Sequence, residues 1–434
     1  MAAANPMPPW VVLNPGVYFE VLPVEGKEHG ETIRCASRKA YGCGEHGQQL
    51  VDGLTLRLLA DRRPAYLSAD LYILADEQAR RSIQAEFGVR DDEHLPRARR
   101  SMQTEFGGEF HASGTVLIAD EGLVVLALFI QILHHSNRTY YLVYDAAGES
   151  LSMIPDPPPY CEKLVTGSPL PVRHHDGVDL LLAASVSKPQ DAGPMRLVYC
   201  YDVLCVFSPS SPAEPGVDPW QMRKRRSPAV LQVREPGLFS GQAAFSCNGH
   251  AFWADLRQGV LHCDLRAAGG GSDVDFDLIG LPPGCLVHIR DFVEMMGPAG
   301  NMYRTMGRLA DSTIKFVSID HSGDPRGRMV RVWTLHLDSR RWTPDVEFSV
   351  RSLWELESFK RAGLPRVEPK CPLLMPDGAL CFLLRHVSRR RTNTFDDHIC
   401  SLDMRSKTIL WTGRLHMHHT EQPFLLPCDF FKIQ

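Results

Sequence analysis

The sequence predicts an all-β protein with a β-propeller-like fold of about six blades, with five to seven possible. Glycine and proline number 34 and 32, and such frequent turn residues favour many short elements over long helices. Short apolar runs bounded by Gly, Pro and Asp follow one another along most of the chain. A strand pattern that ends in aspartate before a turn recurs five times, at Asp145, Asp202, Asp264, Asp338 and Asp403.

These five aspartates are separated by 57, 62, 74 and 65 residues, by subtraction of their numbers. A repeat of this size, with about four strands, is near the length of a kelch-type blade. One such unit buries a single face alone, and stacking of units around an axis buries the other face. Tandem β-sandwiches are the alternative, because they have the same strand spacing.

The chain of 434 residues is predicted to have a disordered head over residues 1–9 and one propeller-like domain over residues 10–434. The N-terminal strands supply a sixth blade or close the ring. Helix is expected only over Asp76–Phe87 and near Val350–Lys360. The first of these has its acids at the start and Gly88 after its end, which matches the preferences of helix termini.

One hairpin is the clearest copy of the repeat. Phe252 to Leu256 and Val260 to Leu265 read as two strands around a turn that contains Gly259. Trp253 is predicted to lie in the repeat core. The other tryptophans expected in or beside that core are Trp333, Trp342 and Trp411.

This hairpin, with Leu281-Pro282-Pro283 downstream, resembles the plant domain-of-unknown-function family numbered 1618 (DUF1618), which is expanded in grasses. The start Trp10-Val11-Val12-Leu13 and the later strand pair from Thr55 to Ile73 are similar to that family too. The resemblance covers most of the chain. It implies repeats like the kelch-like domains associated with F-box proteins, and it implies no activity and no catalytic residues.

Charge and composition narrow the class of partner. The formal net charge is −4 and the pI is near 6.5, whereas a dedicated nucleic-acid binder carries a strong basic surplus. The longest apolar run, from Leu123 to Leu133, is too short to span a membrane as a helix. Residues 1–9 lack the basic start and apolar run of a signal peptide. We therefore expect an intracellular protein, in the cytoplasm, the nucleus or both, with reduced thiols.

The sequence offers few groups for chemistry. Cys35, Cys43 and His46 are ligand types that zinc accepts, but no fourth ligand is evident nearby, so no metal and no cofactor are predicted. Asp255 and Asp264 are a candidate acid pair, although strand-end carboxylates more often cap turns. No nucleophile elbow, P-loop or dinucleotide fingerprint is found in the sequence.

The sequence therefore predicts an interaction scaffold for an unknown protein partner. The segments Ser208–Arg226 and Arg385–Asp397 are long polar insertions, and loops on a rigid scaffold are where binding residues concentrate. Each holds a basic cluster that suits an acidic partner surface. A hydrolase or carbohydrate-binding protein that uses the central funnel is the alternative, and a nuclear factor that binds DNA is a third interpretation. The predicted contact residues are Arg223, Lys224, Arg225, Arg226, Arg389, Arg390 and Arg391.

Overall fold

The structure is a computed structural model. Pro9, the last residue of the predicted head, is fixed to the C-terminal part of the chain, because its carbonyl oxygen accepts a hydrogen bond of 3.0 Å from the backbone N–H of Cys428. The rest of the predicted head, residues 1–8, lies outside the described residues. The described residues are 9–22, 30–61, 63, 65–86, 110–132, 137–158, 161–163, 169–174, 177–190, 197–209, 218–224, 239, 241–268, 273–287, 302–320, 327–385, 397–416 and 422–433.

Strands dominate the described chain, and the helices are short. The first strands are β1 Trp10–Val21, β2 Glu31–Thr32, β3 Ser37–Ala40, β4 Leu54–Ala60, β5 Ser68–Ala75, β6 Phe110–Asp120, β7 Leu123–Ile132, β8 Arg138–Asp145, β9 Ser150–Pro155, β10 Cys161–Lys163, β11 Leu170–His174, β12 Gly177–Gln190, β13 Leu197–Phe207 and β14 Trp220–Lys224. The remaining strands are β15 Ala243–Cys247, β16 His250–Asp255, β17 Gly259–Asp264, β18 Phe276–Gly280, β19 Arg304–Arg308, β20 Ile314–Ile319, β21 Met329–His336, β22 Arg341–Ser349, β23 Pro369–Leu374, β24 Leu380–Leu384, β25 Asp397–Asp403, β26 Thr408–Leu415 and β27 Phe424–Pro427. The helices are α1 Gly47–Asp52, α2 Glu77–Glu86, α3 Leu265–Ala268, α4 Val350–Glu355 and α5 Glu357–Arg361.

The described strands form five sheets. Three of them are four-stranded antiparallel meanders in chain order: β15–β18, β19–β22 and β23–β26. The second sheet has the order β10-β12-β13-β14 with β11 beside β12, and the first has the order β2-β4-β5-β1-β6-β7-β8-β9-β3 with β27 beside β1. The first strands of successive sheets lie side by side, β15 next to β19 and β19 next to β23. The protein is all-β with a propeller-like arrangement of sheets.

Neighbouring residues on one strand pack against different sheets. Trp253 on β16 packs in a core shared with the first and second sheets, whereas Phe252 packs with Phe316 of the fourth sheet. On β24, Phe382 faces the fourth sheet and Cys381 faces residues of the first. Because both faces of these sheets are buried, their strands read as continuous apolar runs. A sandwich buries one face of each sheet, so tandem sandwiches do not describe this fold.

Three of the repeat aspartates end a strand, as predicted. Asp145 ends β8, Asp264 ends β17 and Asp403 ends β25. Each carboxylate accepts a hydrogen bond from the backbone N–H two residues ahead, at 2.9, 2.8 and 2.8 Å. Such local bonds favour a turn over continuation of the strand.

The other two aspartates differ from this pattern. Asp338 lies just beyond β21, which ends at His336. Asp202 lies inside β13 and pairs with Ser185 of β12. The prediction that it ends a strand is wrong, because β13 continues its pairing with β12 as far as Phe207.

The N-terminal strands join the first sheet and do not form a separate one among the described residues. β1 pairs in parallel with β5 and antiparallel with both β6 and β27. Val12 and Leu67 pack with Cys381 and Ile399 of the fifth sheet. The two predicted roles for these strands are to supply a sixth blade or to close the ring. The described structure fits closure, because β1 pairs with β27 and joins the two ends of the chain in one sheet.

The predicted hairpin forms as β16 and β17, with Asp255 opposite Gly259. Gly259 has a φ of +159°, and a Cβ there would lie 2.4 Å from the carbonyl oxygen of Ile279. Glycine is required because the backbone of β18 approaches so closely. Trp253 is fully buried and Trp333 is nearly so, while Trp342 and Trp411 are partly buried beside the cores.

The helix predicted over Asp76–Phe87 forms as α2, and Asp76 accepts a hydrogen bond of 2.8 Å from the backbone N–H of Ala79. The piece near Val350–Lys360 forms as α4 and α5. The prediction that helix is limited to these two places is wrong, since α1 and α3 are single short turns that carry little sequence signal. Among the described helices, none is long and apolar enough to cross a membrane.

Candidate interaction site

Two of the seven predicted contact residues lie in the described chain. Arg223 and Lys224 belong to β14, the outer strand of the second sheet, so the prediction that all of Ser208–Arg226 is loop is wrong. Trp220 explains the strand, because its buried ring packs on Tyr141 and Phe207. The others lie outside the described residues: Arg225, Arg226, Arg389, Arg390 and Arg391.

The second predicted segment begins and ends in a charged cluster. The cluster lies at one end of the fourth and fifth sheets, where β19, β21, β23 and β25 begin and β24 ends. We call it the charged rim. Its members are Tyr303, Arg328, Glu368, Lys370, Arg385 and Asp397.

Two ion pairs hold the charged rim together. Arg328 pairs with Glu368, and both side chains are largely buried. Glu368 also accepts a long hydrogen bond of 3.5 Å from the hydroxyl of Tyr303. Arg385 Nε donates to Asp397 Oδ2 at 2.9 Å. These contacts neutralise two cations and two anions within the rim.

Asp397 is the most deeply buried member, with 1% of its surface exposed. Among the described residues, its Oδ1 atom has no hydrogen-bond partner. Burial raises the pKa of Asp397, although Arg385 beside it acts in the opposite direction. A buried carboxylate oxygen can accept a further hydrogen bond, from water or from a ligand.

Lys370 is the charged member of the rim that has no ion-pair partner among the described residues. Its Nζ lies 5.8 Å from the centre of the Tyr303 ring, within the range of a cation–π contact. No carboxylate of the described chain lies within ion-pair distance of it. Burial lowers the pKa of Lys370, and the positive charge of Arg385 lowers it further. The ammonium group is therefore partly desolvated and available to an anion.

The backbone next to Lys370 is strained. Cys371 has a φ of +46° although it is not glycine, and a β-bulge shifts the register between Lys370 and Leu373. The N–H of Cys371 donates to the Met302 carbonyl at 2.6 Å. Non-glycine residues in this conformation cost about 1–3 kcal/mol and concentrate at functional sites, as bulges do. Burial raises the pKa of the Cys371 thiol to about 11, which suits packing and not nucleophilic chemistry.

A second polar cluster lies at the same end of the third sheet. Asp255 and Arg257 form a buried ion pair in the β16–β17 turn, joined by Gln258. Arg304 Nη1 donates to the carbonyl oxygens of Leu256 and Cys285, each at 2.7 Å. These groups use their bonds to tie the turn to the next sheet, so we assign them a structural role.

The candidate acid pair does not form. Asp255 pairs with Gly259 at one end of the hairpin, and Asp264 pairs with His250 at the other end. Five residues of strand separate the two carboxylates by roughly 16 Å. Shared acid–base chemistry requires a much closer approach.

The cysteines of the candidate zinc pattern flank β3 and are buried in the core of the first sheet. Cys43 Sγ donates to the carbonyl oxygens of Tyr41 and Met153, at 3.4 and 3.3 Å. Burial raises the pKa of this thiol to about 12, whereas zinc binds the thiolate. Within the part of the chain that the structure describes, no three potential ligands come together around a metal position.

Sequence reasoning missed four members of the charged rim: Tyr303, Arg328, Glu368 and Lys370. They lie at the starts of three strands, β19, β21 and β23, and their proximity depends on how two sheets pack. One signal was present in Glu368-Pro369-Lys370-Cys371-Pro372, where two prolines and two charges interrupt an otherwise apolar strand pattern. Proline within a strand indicates an edge or a bulge.

The fold and the rim together define a propeller-like β protein with a charged cluster at one end of its fourth and fifth sheets. Residues 253–381 match the model of a family described as "Protein of unknown function (DUF1618)". The match begins in β16 and ends in β24, and it supports that family. It includes the Trp253 strand and Leu281-Pro282-Pro283 that carry the sequence resemblance. The comparison with curated proteins finds no match.

Several solved structures resemble this chain weakly. The WD40 domain of SCAP from fission yeast is 9% identical, with a TM-score of 0.28, over 70% of this chain and 64% of that one. The NanB sialidase from Streptococcus pneumoniae is 10% identical, with a TM-score of 0.27, over 70% of this chain and 37% of that one. The chain thus spans less than two thirds of both. TM-scores this low carry no argument, so the fold rests on the sheet order and the interleaved cores.

Proposed function

We propose that the protein is an interaction scaffold whose charged rim binds an acidic segment of a partner protein. The observation that supports the proposal most directly is Lys370. It is a partly desolvated cation without a carboxylate partner among the described residues. A carboxylate that reached it would face less solvent screening than at an exposed lysine.

The neighbouring charges favour an anion. Arg328 and Arg385 are already paired, so the rim carries one net positive charge from Lys370. Arg389, Arg390 and Arg391 lie in sequence between Arg385 and Asp397, which are both members of the rim. Their positive charges would add to the attraction for an acidic segment.

The first experiment measures binding of a fluorescent oligoglutamate peptide by anisotropy, with oligoglutamine as the neutral comparison. Lys370→Gln should weaken oligoglutamate binding about tenfold, which corresponds to roughly 1.5 kcal/mol for a charge-assisted bond. Lys407→Gln is the matched control, because Lys407 is exposed at the opposite end of the same sheet. Salt should weaken binding to the wild type. Equal binding of both peptides, or equal loss in both variants, contradicts the proposal.

The second experiment identifies partners by affinity capture and mass spectrometry. Proteins captured by the wild type should be lost from Lys370→Gln and from the triple Arg389–Arg391→Ser variant, and kept by Lys407→Gln. If both rim variants fold and retrieve the same partners in the same yield, the rim is not the binding face. The predicted cluster Arg223–Arg226 lies on the outer strand and beyond it, and its replacement with serine tests that surface separately.

A further inference from the structure

A small cleft lies between the first and second sheets, on the opposite end of the sheets from the charged rim. Its volume is about 190 Å³, below the roughly 300 Å³ at which sites for drug-sized ligands begin. One wall comes from β3, β8 and β9 and the other from β12 and the end of β13. We call it the hydroxyl cleft. Its polar lining residues are Ser37, Lys39, Tyr41, Asp145, Ser150 and Ser152.

Strand alternation produces this lining. In the parallel β3–β9 pair, Ser37 lies opposite Ser150 and Lys39 lies opposite Ser152. Asp145 of β8 lies opposite Ser150 in the next ladder. Residues two apart share one face of a sheet, so three short strands present hydroxyls and an ammonium group to the same space.

The other wall is apolar. On this wall the ring of Phe207 meets the ring of Tyr41, from the opposite wall, edge to face with centroids 5.1 Å apart. Gly177 also lines the cleft, with a φ of +148°, and a Cβ there would lie 2.9 Å from Pro209 Cγ. The bare backbone at Gly177 therefore keeps this wall open.

The charges of the cleft do not cancel. Both Asp145 oxygens accept hydrogen bonds from Arg173, each at 2.8 Å, so this carboxylate is already neutralised. Lys39 is exposed at the mouth, and no carboxylate of the described chain pairs with it. The cleft thus offers several hydroxyls, of which those of Tyr41 and Ser152 bond each other, together with one positive charge that no described carboxylate pairs.

From this lining we propose that the hydroxyl cleft binds a small hydroxylated anion of the sugar-acid class. The ligand hydroxyls would bond the serines, its carbon-bound hydrogens would lie against the Phe207 wall, and its carboxylate would approach Lys39. The volume is large enough for one sugar ring but not for a longer chain of sugars. The site is separate from the rim, so the two proposals stand or fall independently.

The test uses the full chain, with calorimetry and saturation-transfer NMR, and glucuronate and glucose as probes. Glucuronate should bind about threefold more tightly than glucose, as expected for one partly exposed ion pair. Lys39→Met should remove that difference while glucose binding persists. Ser152→Val should weaken both probes, because it removes a hydroxyl and narrows the cleft.

Two controls separate the cleft from general effects. Lys407→Met removes an exposed charge elsewhere, and Ser339→Ala removes an exposed hydroxyl in a distant turn, so neither should change probe binding. Absence of binding by either probe overturns the proposal. So does equal binding of the two probes to the wild type, or a preference for glucuronate that survives Lys39→Met.

Discussion

Removal of the Asp255 carboxylate should destabilise the protein more than most single substitutions. Asp255 has no exposed surface, and Arg257 is 3% exposed. The carboxylate accepts hydrogen bonds from Arg257 N, Nε and Nη2 at 2.8, 3.0 and 2.6 Å, and from Gln258 Nε2 at 3.1 Å. Asp255→Ala leaves the guanidinium buried without its counter-charge, which costs about 3–5 kcal/mol in unfolding free energy.

A double-mutant cycle separates this cost from the loss of packing. Asp255→Ala combined with Arg257→Met removes both charges and leaves two neutral donors without their acceptor, the backbone N–H of residue 257 and the Gln258 amide, at about 1–3 kcal/mol each. The double variant should therefore be more stable than Asp255→Ala alone. Urea unfolding followed by tryptophan fluorescence measures each variant.

An exposed ion pair supplies the control. Arg351 and Glu355 form a pair on α4 with side chains 69% and 61% exposed. Glu355→Ala should cost about 0.3–0.5 kcal/mol, as such surface pairs do. If Asp255→Ala costs no more than this, the pair does not stabilise the turn as described. The same conclusion follows if the unfolding free energies lost in Asp255→Ala and in Arg257→Met simply add in the double variant.

Three further predictions concern the core and its titratable groups. Trp253→Ala should lower the unfolding free energy by about 3–5 kcal/mol in urea, and no change would refute its place in the shared core. Burial lowers the pKa of His262 in the folded protein. The neutral imidazole therefore contributes stability above pH about 6.5, the usual pKa of histidine, and this contribution is lost as the pH falls through the folded-state pKa. His262→Phe should reduce that loss and exposed His336→Phe should not; equal pH profiles would contradict this. A thiol reagent should label exposed Cys428 before buried Cys400, whose pKa burial raises to about 12, and the reverse order would refute the assigned burial.

Local patterns correctly predicted three of the five strand-ending aspartates. Asp145, Asp264 and Asp403 end their strands because an aspartate bonds the backbone two residues ahead, and that bond needs no distant partner. The hairpin around Gly259 follows from the same kind of local chemistry. Asp202 shows the limit, because eleven residues of pairing between β12 and β13 outweigh one turn-forming side chain.

Pairing between strands that are distant in the chain could not be predicted from the sequence. The polar stretch Glu25–Gln49 is typical of a loop, yet it contains β3, which pairs in parallel with β9 more than a hundred residues later. The hydroxyl cleft exists only because of that pairing. No local pattern in β3 indicates which strand it will meet.

The amino-acid sequence by itself determined the all-β class and the turns after Asp145, Asp264 and Asp403, because these depend on side-chain alternation and on bonds between near neighbours. Only the tertiary structure decided where the N-terminal strands go and which charges meet at the rim. Tyr303, Arg328, Lys370 and Asp397 are neighbours since four strands of two sheets begin at one end. Burial and pairing of a charge depend on the groups that surround it in space, and those come from distant parts of the chain.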